Sequence, residues 1–247
     1  PESVCHLPAW TLECRPGHGR PAAGAEALPK EELSDVDPRE LIRVVHTGIG
    51  PVGCRVVDLV LQMPTLRLVG VVDADSNKVG RPVEEFVPRA RGMNLKIEEG
   101  TTACIQRHEA LAVTHTTVSY LPDCIDHLRE LARAGVATVS STEELLYPWL
   151  RHPQWAAELD ELCQRHGSRM LGTGLNPGYL MDLLPVLANP PCERVRAVRA
   201  ERVVNAATRR GPLQRKVGAG ITKQEFAARG AGGKFGHVGF CESGALL

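Results

Sequence analysis

The stretch Arg43 to Val57, RVVHTGIGPVGCRVV, constrains this chain most, because Gly48, Gly50 and Gly53 stand between an apolar run and a helix-like one. Glycines collect in any tight turn, so the spacing alone decides little. The flanks decide more. LIRVVHTG, from Leu41, is a compact β-branched run suited to a strand buried on both faces. VGCRVVDLVLQMP then sets Val52, Val56, Leu59 and Val60 on one predicted helical face, with Pro64 closing it, and LRLVGVVDAD is a second apolar run ending in acid. Strand, glycine turn, helix and strand within one short stretch make a βαβ unit. Gly48 marks the strand exit, Gly50 lets backbone approach a pyrophosphate, and Gly53 lets helix pack on strand. The pyrophosphate rests on the free N–H groups that open the helix, in a turn that runs through Ile49, Pro51 and Val52. Asp73, 25 residues after Gly48, falls where a carboxylate accepts hydrogen bonds from an adenosine ribose. The turn is therefore predicted to hold a dinucleotide.

The pattern continues along the chain. ALAVTHTT, VATVSS and RMLGTG read as strands, and LPDCIDHLRELARAG and PQWAAELDELCQRHG read as helices stopped at Gly135 and Gly167. Alternation of this kind predicts an α/β fold with a doubly wound parallel sheet, whose ligands bind at the carboxyl ends of the strands. Thr116 and Thr117, Ser140 to Glu144, and Thr173 to Gly178 fall at those ends. GLNPGYLMDLLPVLA is expected to open a helix on Asn176 and Pro177, kinked or shortened at Pro185. ERVRAVRAERVVNAA reads as a longer strand with one exposed face, and TKQE, Thr222 to Glu225, as a capping box. The expected organisation is an extension over 1–38, a dinucleotide domain over 39–175, and the start of an α+β substrate and dimerisation domain over 176–247. The opening Pro1 and the closing GFCESGALL, which reads as the first turns of a helix, suggest a longer natural chain truncated at its C-terminus.

Equal numbers of basic and acidic side chains, 29 of each, argue against nucleic acid or a charged membrane surface as partner. No apolar run reaches the roughly 20 residues that span a bilayer, and no secretory leader is evident. The eight cysteines are scattered without C-x-x-C spacing, and His108, His115, His166 and His237 fall into no ligand pattern. The expectation is reduced thiols, a cytoplasmic setting and no metal.

Two clusters could carry chemistry. Glu143 and Glu144 follow a predicted central strand, although Ser140-x-x-Glu143 and Ser141-x-x-Glu144 both also fit a capping box. TRRGPLQRKVGAG gathers Arg209, Arg210, Arg215 and Lys216, which could fix a substrate carboxylate or form a solvated basic loop.

Taken in order, TGIGPVG, LVGVVDAD, STEELLYP, GTGLNPGYLMDLLP, TRRGPLQRKVGAG and GHVGFCES resemble the 2,4-diaminopentanoate dehydrogenase and native amine dehydrogenase family, over about residues 41 to 247. The resemblance extends more distantly to dihydrodipicolinate reductase, but NAATRRGPLQRKVGAG departs from that family's corresponding motif and counts against its activity. The resemblance implies a Rossmann domain, a substrate domain, a homodimer, and NAD or NADP as cofactor. It implies oxidative deamination of an amine, reversible as reductive amination of a ketone with ammonia. A proton-handling glutamate matches the STEEL position, with Glu144 favoured over Glu143. Thr116, Thr117 and Asn176 would border the nicotinamide, and Arg209 and Arg210 the substrate. Asp73 disfavours a 2′-phosphate while Lys78 and Arg81 favour one, so the expectation is NAD with tolerance for NADP. An imine reductase that needs no ammonia, and a non-catalytic NAD(P) sensor, are the alternatives.

Overall fold

A computed structural model describes residues 41–247, apart from 204, 209, 210 and 232–237. The expected extension over 1–38 and the Arg209–Arg210 pair lie outside the described residues. The chain builds β1 (Ile42–Thr47), α1 (Pro51–Val60), β2 (Leu66–Val72), β3 (Ile97–Glu98), α2 (Thr101–His108) and β4 (Ala112–His115). It continues through α3 (Ile125–Arg133), β5 (Ala137–Ser140), α4 (Pro153–His166) and β6 (Arg169–Gly172). Four short helices follow, α5 (Leu183–Ala188), α6 (Gly211–Lys216), α7 (Lys223–Ala231) and α8 (Phe240–Leu246).

The six strands form one parallel sheet in the order β3-β2-β1-β4-β5-β6. The order reverses between β1 and β4, so the carboxyl ends of those two strands open a crevice there. One face of the sheet buries Val44, Leu68 and Val71 against Val57 and Val60 of α1 and Val83, Val87 and Ile97. The other buries Val45, Val72 and Val113 against Cys104 and Ile105 of α2, Ile125, Leu128 and Leu131 of α3 and Leu159 of α4. Each such side chain stabilises the fold by about 1.5–3 kcal/mol relative to exposure, which is why β-branched runs settle into the middle strands.

The ladder between β1 and β2 has one irregularity. Val44 pairs with Leu68, but Val45 pairs with Gly70, so Val69 is an extra residue in β2. Val69 and Gly70 both turn to the α2 side: Val69 packs in that core, and a Cβ on Gly70 would meet Cys104 Sγ at 2.4 Å.

Three expectations are corrected. The buried face of α1 is Gly53, Val57 and Val60, whereas Val52 and Leu59 are exposed, so the helix is rotated from the predicted stripe to bring Gly53 against the glycine turn. The helix expected from Asn176 begins only at Leu183, because Asp182 stops the preceding turn by accepting from the N–H groups of Gly178 and Leu183. Residues 193–203 form no strand, with Val195 and Val203 exposed; among the described residues no neighbouring strand pairs with them, and a lone strand leaves its backbone groups unpaired. An open hollow of about 510 Å³ separates this segment from α5, lined by Leu184, Pro185, Val198 and Arg199 among others.

Candidate nucleotide and proton-transfer site

At the end of β1 the chain turns through Gly48 at φ +93°, where a side chain would strike the Thr116 carbonyl at 2.7 Å. A Cβ on Gly53 would lie 1.9 Å from the Gly48 carbonyl oxygen, so only glycine lets α1 sit this close to the strand end. Gly50 differs: a Cβ there meets nothing within 4 Å. It caps α1 without any side-chain bond, and Pro51 occupies the first turn. The helix therefore opens toward free space with its N–H groups uncommitted, which is the cradle a pyrophosphate requires.

Asp73 stands directly after β2, at the strand end where the sequence places it. Its Oδ2 accepts from the Ile49 N–H at 2.8 Å and from Lys78 Nζ at 3.0 Å, and its Oδ1 accepts from the Asp75 N–H at 2.9 Å. Lys78 is thus the cation paired with this carboxylate. Arg81 is engaged with Glu85 and stacks over Phe86, so it is less free for a phosphate than the sequence suggests.

Beneath the turn lies a buried histidine network that sequence reasoning missed. His46 Nε2 faces the Gly48 carbonyl at 3.2 Å and Nδ1 faces Thr114 Oγ1 at 2.8 Å. A carbonyl only accepts, so Nε2 carries the proton and Nδ1 accepts from the threonine hydroxyl. The Thr116 hydroxyl donates to the same carbonyl at 2.8 Å. His115 bridges Ser140 and Thr117, at 2.8 and 2.9 Å. Burial holds both rings neutral, lowering the His46 pKa to about 4 and that of His115 to about 3, where His127 and His46 add to the effect. Alternation hides these residues in apolar strands; the only available signal was two histidines each placed one or two residues before a strand-end threonine or glycine.

Glu143 and Glu144 open a single 3₁₀ turn just after β5. Neither capping box forms: the Ser140 hydroxyl accepts from the Thr142 N–H instead, and no side chain caps the turn. Glu144 is 7 % exposed. Its Oε2 accepts from the Leu121 N–H at 2.8 Å and meets His152 Nε2 at 3.1 Å, while Oε1 lies 3.9 Å from Arg151. Arg151 is held more closely by Glu242 of α8, at 2.6 Å. Glu143 is half-buried.

After β6, Asn176 is buried with neither atom of its amide group partnered. An unpaired buried amide costs about 1–3 kcal/mol, so this one is suited to a ligand such as a nicotinamide carboxamide. α8 packs back on this region: the Ser243 hydroxyl donates to Asp182 at 2.7 Å, and both Glu242 and Ser243 are buried. The TKQE box forms as expected, with Thr222 and Glu225 bonding reciprocally at the start of α7.

The sheet order, the glycine turn and the strand-end carboxylate define an NAD(P)-binding protein with a Rossmann fold. No family model matches the chain. It is 32% identical over 211 residues to 2,4-diaminopentanoate dehydrogenase of Acetoanaerobium sticklandii, covering 84% of this chain and 59% of that protein. It is 23% identical over 173 residues to an amine dehydrogenase of Streptomyces virginiae, covering 68% of this chain and 47% of that one. Among solved structures, an amine dehydrogenase from Mycobacterium smegmatis superposes with a TM-score of 0.58 at 27% identity, over 62% of this chain and 45% of that one. The chain is related to the 2,4-diaminopentanoate dehydrogenases and amine dehydrogenases, as its motifs implied. It spans about half the length of the curated relatives it matches. Among the described residues, no helix is long and apolar enough to cross a membrane.

Proposed function

We propose that this protein is an NAD(P)-dependent amine dehydrogenase, interconverting a small amine or diamino acid with its ketone and ammonia. The observation that carries the reading is a buried carboxylate, Glu144, fixed by the Leu121 amide and His152 just after β5, two strands along the same sheet edge from the nucleotide turn. The 2,4-diaminopentanoate and amine dehydrogenases among the chain's relatives support the same chemistry.

Ile49 to Gly53 hold the pyrophosphate and Asp73 the ribose, while Thr116, Thr117 and Asn176 border the nicotinamide. The bound dihydronicotinamide supplies the hydride. In the aminating direction Glu144 takes a proton from ammonium, freeing the nitrogen lone pair to attack the ketone carbon. It then returns a proton to the departing hydroxyl, so that water leaves and a substrate iminium remains to be reduced. His152, in contact with the same oxygen, steadies the carboxylate through both transfers. Glu143, its neighbour on the turn, is the other candidate for the role. Arg209 and Arg210 are proposed to hold a substrate carboxylate. Residues 176–247 are proposed to begin the substrate and dimerisation domain of a homodimer. Lys78 beside Asp73 supports use of NAD with tolerance for NADP.

NADH oxidation with 2-amino-4-oxopentanoate and a panel of small ketones, with and without ammonium, tests the reading. Turnover that needs ammonium supports it. Turnover without ammonium indicates an imine or carbonyl reductase, and nucleotide binding without turnover indicates a sensor. E144Q should keep NADH binding and lose turnover, whereas retained turnover in E144Q with loss in E143Q would transfer the role to Glu143.

A further inference from the structure

Away from the proton-transfer turn, three side chains of types that bind metals converge between the edge strand and α2. Glu98 ends β3, and Cys104 and His108 lie one helical turn apart on α2. Their ligand atoms all lie within 4.8 Å of one another. Cys104 Sγ is 3.5 Å from Glu98 Oε1, and His108 Nε2 is 2.9 Å from that same oxygen. A tetrahedral zinc ion, with bonds of about 2.0–2.3 Å, needs its ligand atoms roughly 3.2–3.8 Å apart. The two separations from Glu98 Oε1, 3.5 and 2.9 Å, approach that spacing, and the third lies within 4.8 Å.

We propose that Glu98, Cys104 and His108 form a binding site for a divalent transition metal of borderline softness, zinc being the representative ion, with water in the fourth position. Thiolate, imidazole and carboxylate together favour zinc over the hard ions calcium and magnesium, which take oxygen alone. The cluster is built into the fold. The Cys104 thiol is fully buried over Gly70, where any side chain would displace it. Glu98 and His108 are partly exposed, at 21% and 30% for their side chains, and provide the way in from solvent. The arrangement escapes sequence inspection because Glu98 reaches the pair from across a strand-to-helix turn. Only the Cys-x-x-x-His spacing is local.

Two groups oppose metal entry, and both make the proposal testable. Arg107 pairs with the outer oxygen of Glu98 and places a competing positive charge at the rim. Cys104 is a thiol in the metal-free protein, its S–H directed at Glu98 Oε1 3.5 Å away. Binding therefore exchanges the thiol proton for the metal: the S–H bond breaks, a sulfur–metal bond forms, and one proton is released to solvent. The Glu98 carbonyl accepts from the Asp73 N–H at 3.2 Å, so an ion here would pin the two-residue edge strand next to the ribose carboxylate.

The test is titration of chelator-treated protein with cobalt(II), followed by displacement with zinc(II). The expected result is one equivalent of cobalt with a thiolate-to-cobalt charge-transfer band, removed by zinc. C104S should abolish the band and weaken zinc binding more than ~100-fold, while C163S, on α4, should leave both unchanged. R107A should bind several-fold more tightly, an outcome that a simple hydrogen-bonded ion pair does not predict. Absence of a saturable one-equivalent band in both the parent protein and R107A would overturn the proposal, as would a band that survives in C104S.

Discussion

The turn after β1 and the segment after β6 are built in opposite ways, although both supply groups to the proposed site. The first is assembled from neighbours: strand, glycines and helix follow directly, and contacts such as Gly53 on Gly48 span only a few residues. The second is held by distant polar bonds, Ser243 to Asp182 and Arg151 to Glu242, while residues 193–203 make no ladder at all. Local assembly sets the cradle's shape, and Thr116 and Asp73 of the neighbouring strands close it with hydrogen bonds to Gly48 and Ile49. Assembly by a few buried polar pairs makes the second region depend on each of them, so single substitutions there should act selectively.

The strongest way to break the contrast is at the glycines. G53A drives a methyl group into backbone at 1.9 Å and should destabilise the protein by more than about 3 kcal/mol, measured by thermal unfolding. G50A meets open space, so stability should stay within about 0.5 kcal/mol. Its NADH affinity should fall by about tenfold, read by fluorescence, because the methyl group occupies the phosphate's space. Equal effects of the two substitutions would contradict the cradle.

Acid should act next most strongly, and on the first region. His46 and His115 are neutral in the folded protein with pKa values of about 4 and about 3, below the 6.5 of an unconstrained histidine. Between those values the unfolded chain binds protons that the native one refuses, so stability rises with pH. It should be complete above pH 6.5 and decline as pH falls toward 4, by on the order of 3 kcal/mol for His46 alone. Denaturant titrations across that window measure the slope, and a flat profile would refute the buried-neutral assignment.

Smaller effects sharpen the second region. S243A removes a buried bond to a carboxylate and should cost about 1.5–3 kcal/mol, with hydrogen exchange rising around Asp182 and unchanged around Gly48. T222A removes an exposed cap and should cost only about 1 kcal/mol, seen as fraying of α7 by the same method.

The same contrast explains what was legible beforehand. β1, α1, β2 and the alternation through β6 follow from periodicity and glycine stops, which are properties of adjacent residues. Asp73 and the glycines could be placed because their spacing reflects one continuous unit. β3 and α2 escaped notice because a two-residue strand leaves almost no period to read. The start of α5 was placed early, since Asn-Pro looks locally like a cap, while Asp182 stops the turn through its own side chain. Glu143 and Glu144 were found but their surroundings were not: Leu121 comes to Glu144 from before α3, Arg151 and His152 from before α4, and Glu242 to Arg151 from the far end of the chain. The strand expected over 193–203 failed for a related reason, because β-branched residues mark a strand only where another strand is present to receive it.

The bulge at Val69 has a further consequence, for how this chain can change length. Facing alternates along β2 except at Val69 and Gly70, which share a side. Loss of Val69 would leave a regular strand with Leu68 and Val71 still on the α1 side and Asp73 still reaching the Ile49 amide. Loss of Val71, two positions on, would absorb the bulge as well, but it would set Gly70 in Val71's place on the α1 side and Val69 against Cys104, where only glycine fits. Two deletions that look equivalent on paper thus share parity and differ in packing: both keep Asp73 on its own side of the sheet, and only the first keeps both faces of the strand filled.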